Sequence, residues 1–420
     1  MCGFSGFANF NRNYTEDASQ WYKVLQQMNR RQKHRGPDED DVYLSRFCGL
    51  AHVRLSILDL STGQQPMTAQ LGNHRATIAY NGEIYNMPAL RRVLEQEGVV
   101  FKTTSDTEVI LMGYLYHGTD YVKQLNGIFA FCIWDESEKR LYLFRDRLGV
   151  KPLFYTRFDE TLIFSSELKG ILSYPNFRPV VDREGLCEIF GLGPAKTYGK
   201  GVFQGVSELL PGHYLEYFAS SLHLVPYWKL ESRPHEDSWE QTVEKTRFLV
   251  TDAIKLQMLS DVPICTFLSG GVDSSLVTAV CSKELQKQGK VLDTYSFDFK
   301  DNDINFKANA FQPSQDRPYV DKMVNFSGTR HHYLECCNQD LYEYLFESVD
   351  ARDLPCMADV EASMLYFCQK VATNHKVTLT GECADEIFGG YPWFHKKECF
   401  EADCFPWSMD FAPRTMLLKD

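Results

Sequence analysis

The 420-residue sequence is 44% hydrophobic and 24% charged, and its formal net charge is −12 at pH 7. This length predicts two or three domains, and the negative charge argues against partners such as nucleic acid or anionic membranes. The sequence contains no apolar run of about 20 residues that could span a membrane and no signal peptide, so we expect a cytoplasmic protein. The 13 cysteines are scattered without Cys-x-x-Cys pairs, which indicates neither a zinc site nor a disulfide framework.

The first half of the chain, up to about Gly212, predicts an α+β domain with antiparallel sheets, because short β-prone runs with turn signals alternate with helices. A polar segment at 135–140 predicts a hairpin loop. The predicted strands are Gly49–Ile57, Arg75–Tyr80, Ile128–Trp134, Leu141–Phe144, Leu153–Phe158 and Thr161–Phe164. The predicted helices are Asp17–Gln32, Pro88–Gln96 and Ser105–Tyr116.

The pattern changes beyond a polar, charge-rich stretch at 227–238, where buried-looking strands alternate with helices. This alternation predicts an α/β domain with a doubly wound parallel sheet. Its predicted elements are helix Trp239–Met258, strand Val262–Leu268, helix Ser275–Gln288, strand Leu292–Phe299, helix Ala362–Asn374 and strand Lys376–Thr380. We therefore expect one domain at 2–212, a connecting strand and linker at 213–238, and a second domain at 239–420.

Cys2 would carry both a thiol and a free α-amino group once Met1 is removed. An α-amine has a pKa of roughly 8, close enough to working pH to act as a general base. One residue could therefore supply both nucleophile and base. An N-terminal cysteine is weak evidence by itself, so this interpretation depends on residues elsewhere in the chain.

Further residues of the first domain suit an amino-acid amide as substrate. Asn81 and Gly82 could donate hydrogen bonds to an oxyanion, although Asn-Gly also predicts a plain turn. Arg54, in an apolar strand, could bind an α-carboxylate or form an internal salt bridge. Asp106 follows the helix cap Ser105 and could pair with an α-ammonium group or interact only with the helix dipole.

These residues lie in a series of motifs that resembles glutamine amidotransferase domains of the N-terminal-nucleophile (Ntn) hydrolase class. The motifs are Cys2-Gly3, His34-Arg35-Gly36-Pro37-Asp38, Arg54–Ile57, Asn81–Asn86, Ser105-Asp106 with Glu108, Gly127–Phe131, and Arg145-Asp146 with Gly149, Pro152 and Leu153. The resemblance implies the four-layer Ntn fold and attack of Cys2 on the side-chain amide of glutamine. A γ-glutamyl thioester would form and ammonia would leave. The residues implied to hold glutamine are Arg54, Asn81, Glu83 and Asp106.

Two loops in the second half could bind a nucleotide. The segment 269–275 joins an apolar strand to a helix and could cradle phosphate with its backbone N–H groups, although a plain loop is the alternative. It lacks the ending of a Walker A loop. The segment 381–391 brings three carboxylates to the end of a buried strand, and Mg²⁺ on a nucleotide uses one or two carboxylates.

The run Ser-Gly-Gly-x-Asp-Ser resembles the signature of the ATP pyrophosphatase family. This resemblance implies ATP and Mg²⁺ as cofactors. The residues implied to hold the pyrophosphate are Ser269, Gly270, Gly271, Asp273 and Ser274, and those implied to approach Mg²⁺ are Asp273 and Asp385. The AMP portion would be lined by Leu268, Phe299, Thr380 and Gly381. Glu382 would act in the amination step, as acid/base or polar clamp.

In this order the two domains resemble the glutamine-hydrolysing asparagine synthetases. That family implies glutamine, aspartate and ATP as partners, a β-aspartyl-AMP intermediate and a possible homodimer. Many members read Ser-Gly-Glu-Gly-Ser-Asp-Glu in the second loop, where this chain has Thr380-Gly-Glu-Cys-Ala-Asp-Glu386. Members also continue past the position of Asp420 and carry a catalytic lysine there, so the resemblance implies a C-terminally truncated synthetase domain.

Two alternatives remain open from the sequence. The chain could be a glutaminase or a ligand-binding remnant, because no residue here can be assigned the role of that lysine. It could also amidate another carboxylic acid, because aspartate is chosen by resemblance alone.

Overall fold

The structure is a computed structural model that describes residues 1–192, 195–308, 312–355, 357–405, 409–410 and 412–416. The chain forms two compact units. The first contains Met1–Ile189 and Ala195–Pro234, and the second consists mainly of the chain from His235 onward. Within the described residues no helix has the length and hydropathy needed to cross a membrane. The cysteines that the structure describes are free thiols.

The first unit contains two six-stranded antiparallel sheets, with strand orders β10-β8-β9-β1-β3-β2 and β12-β11-β7-β6-β5-β4. The strands are β1 (Gly3–Ala8), β2 (Glu39–Leu44), β3 (Cys48–Arg54), β4 (Met67–Leu71), β5 (His74–Ile84), β6 (Gly127–Asp135), β7 (Arg140–Arg145), β8 (Phe154–Phe158), β9 (Thr161–Ser165), β10 (Val206–Glu208), β11 (His213–Phe218) and β12 (Ser221–Pro226). The helices are α1 (Ala18–Arg31), α2 (Met87–Gln96), α3 (Asp106–His117), α4 (Leu168–Leu172) and α5 (Arg183–Cys187), with a 3-10 helix at Gly118–Gln124 and a π-helix at Glu188–Leu192.

The two sheets pack face to face and helices cover their outer faces. Helices α1 and α4 contact the first sheet, and α3 contacts the second. The core between the sheets includes the fully buried side chains of Phe4, Leu50, Leu143 and Phe164. Each such side chain contributes about 1.5–3 kcal/mol by leaving water. These four layers confirm the predicted α+β fold class.

The predicted hairpin is present, because β6 pairs with β7 across the polar segment. The alternative that Asn81-Gly82 forms a turn is wrong. Both residues lie inside β5, where Asn81 is opposite Ala130 and Gly82 is opposite Phe129. Glycine is required there by close packing, since a Cβ on Gly82 would lie 2.3 Å from the Ile128 carbonyl oxygen. Residues 213–226, expected between the domains, form β11 and β12 of the second sheet.

The second unit contains a parallel sheet with strand order β15-β14-β13-β16. The strands are β13 (Ile264–Phe267), β14 (Asp293–Phe299), β15 (Arg330–Cys336) and β16 (Val377–Leu379). The helices are α6 (Trp239–Leu256), α7 (Val272–Gln286), α8 (Asn302–Asn305), α9 (Arg317–Ser327), α10 (Asn338–Arg352), α11 (Ala358–Ala372), α12 (Ala384–Phe388), α13 (Lys397–Glu401) and α14 (Ala412–Thr415), with a 3-10 helix at Pro392–His395.

The strand order reverses between β13 and β16, because the chain runs outward from β13 through β14 and β15 and then returns to the other side of β13. Open α/β sheets bind ligands at such a switch point, outside the carboxyl ends of the strands. The parallel sheet confirms the prediction for this domain. Helix α7 begins at Val272 rather than Ser275, so Asp273 and Ser274 lie in its first turn.

Candidate active sites

Cys2 directly precedes β1, a strand in the interior of the first sheet. Its Sγ accepts a hydrogen bond from the Leu55 N–H at 3.4 Å and lies 3.6 Å from the Leu55 carbonyl oxygen. Burial raises the pKa of the Cys2 thiol, and the Leu55 contact and the nearby amino terminus only partly offset this effect. The thiol therefore needs a base to become a nucleophile.

Burial and neighbouring cations favour the neutral form of the amino terminus. Burial lowers the pKa of the Met1 ammonium to about 5, and repulsion from Arg35 and Lys151 contributes in the same direction. While Met1 is attached, the nitrogen of Cys2 is a peptide amide. Once Met1 is removed, the new α-amine lies in the same buried, positively charged surroundings, which favour its neutral, proton-accepting form.

Arg35 and Asn81 both bind the backbone of Cys2. Arg35 Nε donates to the Cys2 carbonyl oxygen at 2.9 Å. With its amide oriented to satisfy its neighbours, Asn81 donates to the same oxygen at 3.0 Å and accepts from Arg35 Nη2 at 3.2 Å. The predicted oxyanion donor Asn81 therefore lies beside Cys2. The sequence motif that contains Arg35 indicated no role for it. The available signal was only its position between an amphipathic helix and Gly-Pro.

Arg54 ends β3 and is only 4% exposed. Its Nη1 lies 2.9 Å from Glu39 Oε2, and its Nη2 donates to the carbonyl oxygens of Leu58 and Asp59. The sequence left open whether Arg54 forms an internal salt bridge, and the structure contains this salt bridge with Glu39. The loop after β3 encloses the guanidinium, and the same loop presents Leu55 to Cys2.

Glu83 and Asp106 are neighbouring carboxylates in the same unit, of which Asp106 is buried and Glu83 is half-buried. Asp106 accepts hydrogen bonds from the Tyr80 hydroxyl at 2.8 Å and from the Ile84 N–H at 3.2 Å. Burial raises the pKa of both carboxyl groups, and repulsion from Asp106 raises that of Glu83 further. A ligand ammonium group between them would relieve this repulsion. The helix cap is as predicted, because Ser105 Oγ accepts from the Glu108 N–H at 3.3 Å.

Glu167 holds Arg35 in place and supports a pH-dependent prediction. It pairs with Arg35 Nη1 at 2.8 Å, with His34 and with Lys169. Burial opposes ionisation of Glu167, but these partners outweigh burial and lower its pKa to about 2. Its contribution to stability is therefore complete above its ordinary pKa of 4.5 and is lost as the pH falls towards 2.

We expect Glu167→Gln to lower the free energy of unfolding by about 2–3 kcal/mol at pH 7. The difference between the two proteins should shrink as the pH falls from 4.5 towards 2, because Glu167 of the unfolded chain then binds a proton that the native carboxylate does not bind. Urea denaturation of both proteins at several pH values measures this difference. The lowered pKa of Glu167 is about 2. A difference in unfolding free energy that stays constant as the pH approaches that value would show that the charge on Glu167 does not stabilise the fold.

A cavity of about 520 Å³ lies at the switch point of the second unit. The loop after β13 forms one wall. Gly270 has φ of +79°, and a Cβ there would lie 2.6 Å from Tyr319 Cβ. The Ser269 N–H donates to Ser274 Oγ at 3.2 Å, and Ser274 Oγ donates to the Gly271 carbonyl oxygen at 3.3 Å. These bonds fold the loop over the N-terminus of α7, where backbone N–H groups favour an anion.

The loop after β16 packs directly against the N-terminus of α7. A Cβ on Gly381 would lie 2.8 Å from the Ser274 nitrogen and 2.9 Å from Asp273 Cβ. Burial raises the pKa of Asp273, and repulsion from Asp385 adds to it. Two carboxylates therefore lie close together at the N-terminus of α7, and Mg²⁺ on a nucleotide uses one or two carboxylates together with phosphate oxygens. Within the described residues no group of three or more His, Cys, Asp or Glu side chains is placed to hold a metal by itself.

Most of the predicted nucleotide residues line this one cavity. Those that do are Leu268, Ser269, Gly271, Asp273, Ser274, Phe299, Thr380, Gly381, Glu382 and Asp385. Sequence reasoning missed Asp298 and Arg317, which also line it. Arg317 is the single Arg or Lys among the described lining residues, and its guanidinium lies 4.4 Å from the centre of the Tyr333 ring.

Cys383 occupies the fourth position of the loop motif, where the resemblance described above places glycine. Its φ is +70°, a conformation that glycine adopts freely and other residues adopt rarely. The backbone turn of this loop is thus kept without glycine. The thiol is exposed, and Cys383 lines the same cavity.

Comparison with known proteins identifies the family of each domain. Residues 1–228 match the family model of the glutamine amidotransferase domain, and residues 245–419 match that of asparagine synthase. The chain is 44% identical to "Asparagine synthetase [glutamine-hydrolyzing] 3" of Bacillus subtilis, with all of this chain and 68% of that protein covered. It is 34% identical to a putative asparagine synthetase of Methanocaldococcus jannaschii, covering 93% of this chain and 76% of that protein.

Some relatives carry another name at a similar level of identity. "Amidase chyE" of Penicillium rubens is 32% identical, over 88% of this chain and 55% of that protein. The two family models follow one another in the order of the two units and together span nearly the whole chain. The chain therefore belongs to the asparagine synthetase family, with an amino-terminal glutamine amidotransferase domain.

Proposed function

We propose that this protein makes asparagine from aspartate in an ATP-dependent reaction, using ammonia that it releases from glutamine. The observation that carries the proposal is the presence of two separate sites in one chain of this family. One site surrounds the half-buried Cys2, and the other joins the loop 269–274 to Gly381 and Asp385. We assign glutamine hydrolysis to residues 2–212 and the synthetase reaction to residues 239–420.

Glutamine hydrolysis would begin with transfer of the thiol proton of Cys2 to its own α-amine. The thiolate then attacks the side-chain carbonyl carbon of glutamine, and Asn81 and the Gly82 N–H stabilise the oxyanion. Collapse of the tetrahedral intermediate returns the proton to the leaving nitrogen and releases ammonia. Water hydrolyses the thioester to glutamate. Arg54 would bind the α-carboxylate of glutamine, and Glu83 and Asp106 its α-ammonium group.

The synthetase reaction would begin with attack of the aspartate β-carboxylate on the α-phosphorus of ATP, and pyrophosphate would leave. Ser269, Gly270, Gly271, Ser274 and the N-terminus of α7 would hold that pyrophosphate. Ammonia then attacks the acyl carbon of β-aspartyl-AMP, and asparagine and AMP are released.

Other cavity residues would support the same reaction. Mg²⁺ bound to Asp273 and Asp385 would neutralise phosphate charge. Leu268, Phe299 and Thr380 would line the adenosine part, and Glu382 would act as acid/base or polar clamp during amination. A cytoplasmic location and a homodimer are further expectations of this proposal, and size-exclusion chromatography with light scattering measures the latter.

Mass spectrometry of a reaction with amide-¹⁵N glutamine, aspartate, ATP and Mg²⁺ tests the proposal. We expect ¹⁵N-asparagine and AMP in equal amounts. Parallel reactions that replace aspartate by glutamate or by a simple aliphatic acid test the acceptor. Labelled product from another acid, with none from aspartate, would contradict the acceptor assignment. Glutamate and free labelled ammonia without AMP would contradict the synthetase half alone.

A further inference from the structure

Lys151 is a buried ammonium group beside the amino terminus, and the proposed glutaminase steps give it no role. It is 5% exposed. Its backbone is fixed, because its N–H donates to Asp146 Oδ2 at 2.9 Å and its carbonyl oxygen accepts from Arg145 Nε at 2.9 Å. Among the described residues, the hydrogen-bond partner of its Nζ is Met1 Sδ at 2.6 Å. A thioether is a weak acceptor and cannot offset the burial of a charge.

Removal of Met1 would take this contact away and leave the Lys151 ammonium facing the space beside Cys2. Charged and titratable groups from several elements surround that space. They are Cys2 and the amino terminus before β1, Arg35 after α1, Glu83 on β5 with Asp106 on α3 behind it, and Asp146 after β7. The ammonium would therefore act on the groups that perform glutamine hydrolysis.

We propose that Lys151 is a positioning residue whose charge disfavours protonation of the Cys2 α-amine and of the Glu83 carboxylate. A nearby positive charge favours a carboxylate over its acid and a neutral amine over its ammonium form, so one cation serves both groups. The amine must be neutral to accept the thiol proton, and Glu83 must be ionised to hold the ammonium group of glutamine. This inference rests on the proposed glutaminase function of the first unit.

Lys151 differs from Arg35 because it acts on Glu83 as well as on the amino terminus, where both cations lower the pKa. Arg35 pairs with Glu167 at 2.8 Å, so part of its field is cancelled. No ion pair of Lys151 occurs among the described residues. Burial raises the pKa of Glu83 and repulsion from Asp106 adds to it, and Lys151 is the first of the groups that oppose this rise. Burial of Lys151 lowers its own pKa to about 8, so its charge persists at pH 7.

The pH dependence of glutamine hydrolysis by Met1-free protein tests this proposal. We expect Lys151→Met to move the acidic limb of the kcat/KM profile upward by about one pH unit and to raise KM for glutamine about tenfold. Lys151→Arg keeps the charge and should keep the limb in place. Lys123→Met is a control, since Lys123 is an exposed lysine of the same unit that pairs with Asp120. Ammonia-dependent synthesis should be the same in all four proteins.

An unmoved acidic limb and an unchanged KM in folded Lys151→Met would overturn the proposal. A limb displaced equally in the Met and Arg variants would also overturn it, because side-chain shape rather than charge would then matter. If the Met variant does not fold, Lys151→Gln replaces it. Unsubstituted, Met1-free protein that does not hydrolyse glutamine would instead refute the proposed function, and this inference with it.

Discussion

Cys2→Ala is expected to abolish glutamine-dependent synthesis and to leave ammonia-dependent synthesis intact. The variant lacks the sulfur that attacks the amide, so glutamine hydrolysis should fall about 1,000-fold or more. The Cys2 side chain lies in the first unit, and the residues assigned to ATP lie in the second. Ammonium chloride supplied in place of glutamine therefore bypasses the missing step.

The measurements are glutamate release and asparagine formation with either nitrogen source. Cys187→Ala is the matched control, because Cys187 is an exposed free thiol of the same unit. It should retain both activities. Equal loss of both activities in a folded Cys2→Ala protein would refute the division of labour between the two sites. Glutaminase activity that survives the substitution would refute the assignment of Cys2 as nucleophile.

Asp273→Asn is expected to lower kcat/KM for ATP by about 100-fold or more and to leave glutamine hydrolysis unchanged. The substitution keeps the shape of the side chain and removes one of two carboxylates that repel each other at the end of α7. If both hold Mg²⁺, the variant should also need a higher Mg²⁺ concentration for half-maximal residual activity.

Pyrophosphate release measured across a Mg²⁺ titration separates these effects. Asp350→Asn is the control, since Asp350 is an exposed carboxylate on α10 of the same unit. Full ATP turnover in Asp273→Asn would show that the assigned loop is not the phosphate site. Reduced turnover with an unchanged Mg²⁺ requirement would keep the phosphate site and contradict the metal role of Asp273.

The sequence by itself determined the fold class of both units and predicted the residues to which we assign chemistry. Hydrophobic periodicity predicted β3 and β5–β9 of the first unit and β13, β14 and β16 of the second, because one or both faces of these strands are buried. It missed β15, where Arg330, His331 and His332 interrupt the apolar pattern. It also missed β1, although that strand is buried throughout, and partly exposed strands such as β2 and β4. It predicted both candidate sites because their residue types follow motifs that are local in the chain.

Only the tertiary structure decided which residues act together and in what charge state. Asn81-Gly82 reads locally as a turn, but pairing with β6 extends the strand through both residues. Arg35 and Lys151 contact the first two residues, and Glu167 holds Arg35. These three residues come from distant segments, so their contacts depend on how the two sheets and their covering helices pack. Burial also shifts the pKa values of these groups, and composition cannot reveal such shifts. The free-energy cost of a charge depends on the groups that surround it in space rather than along the chain.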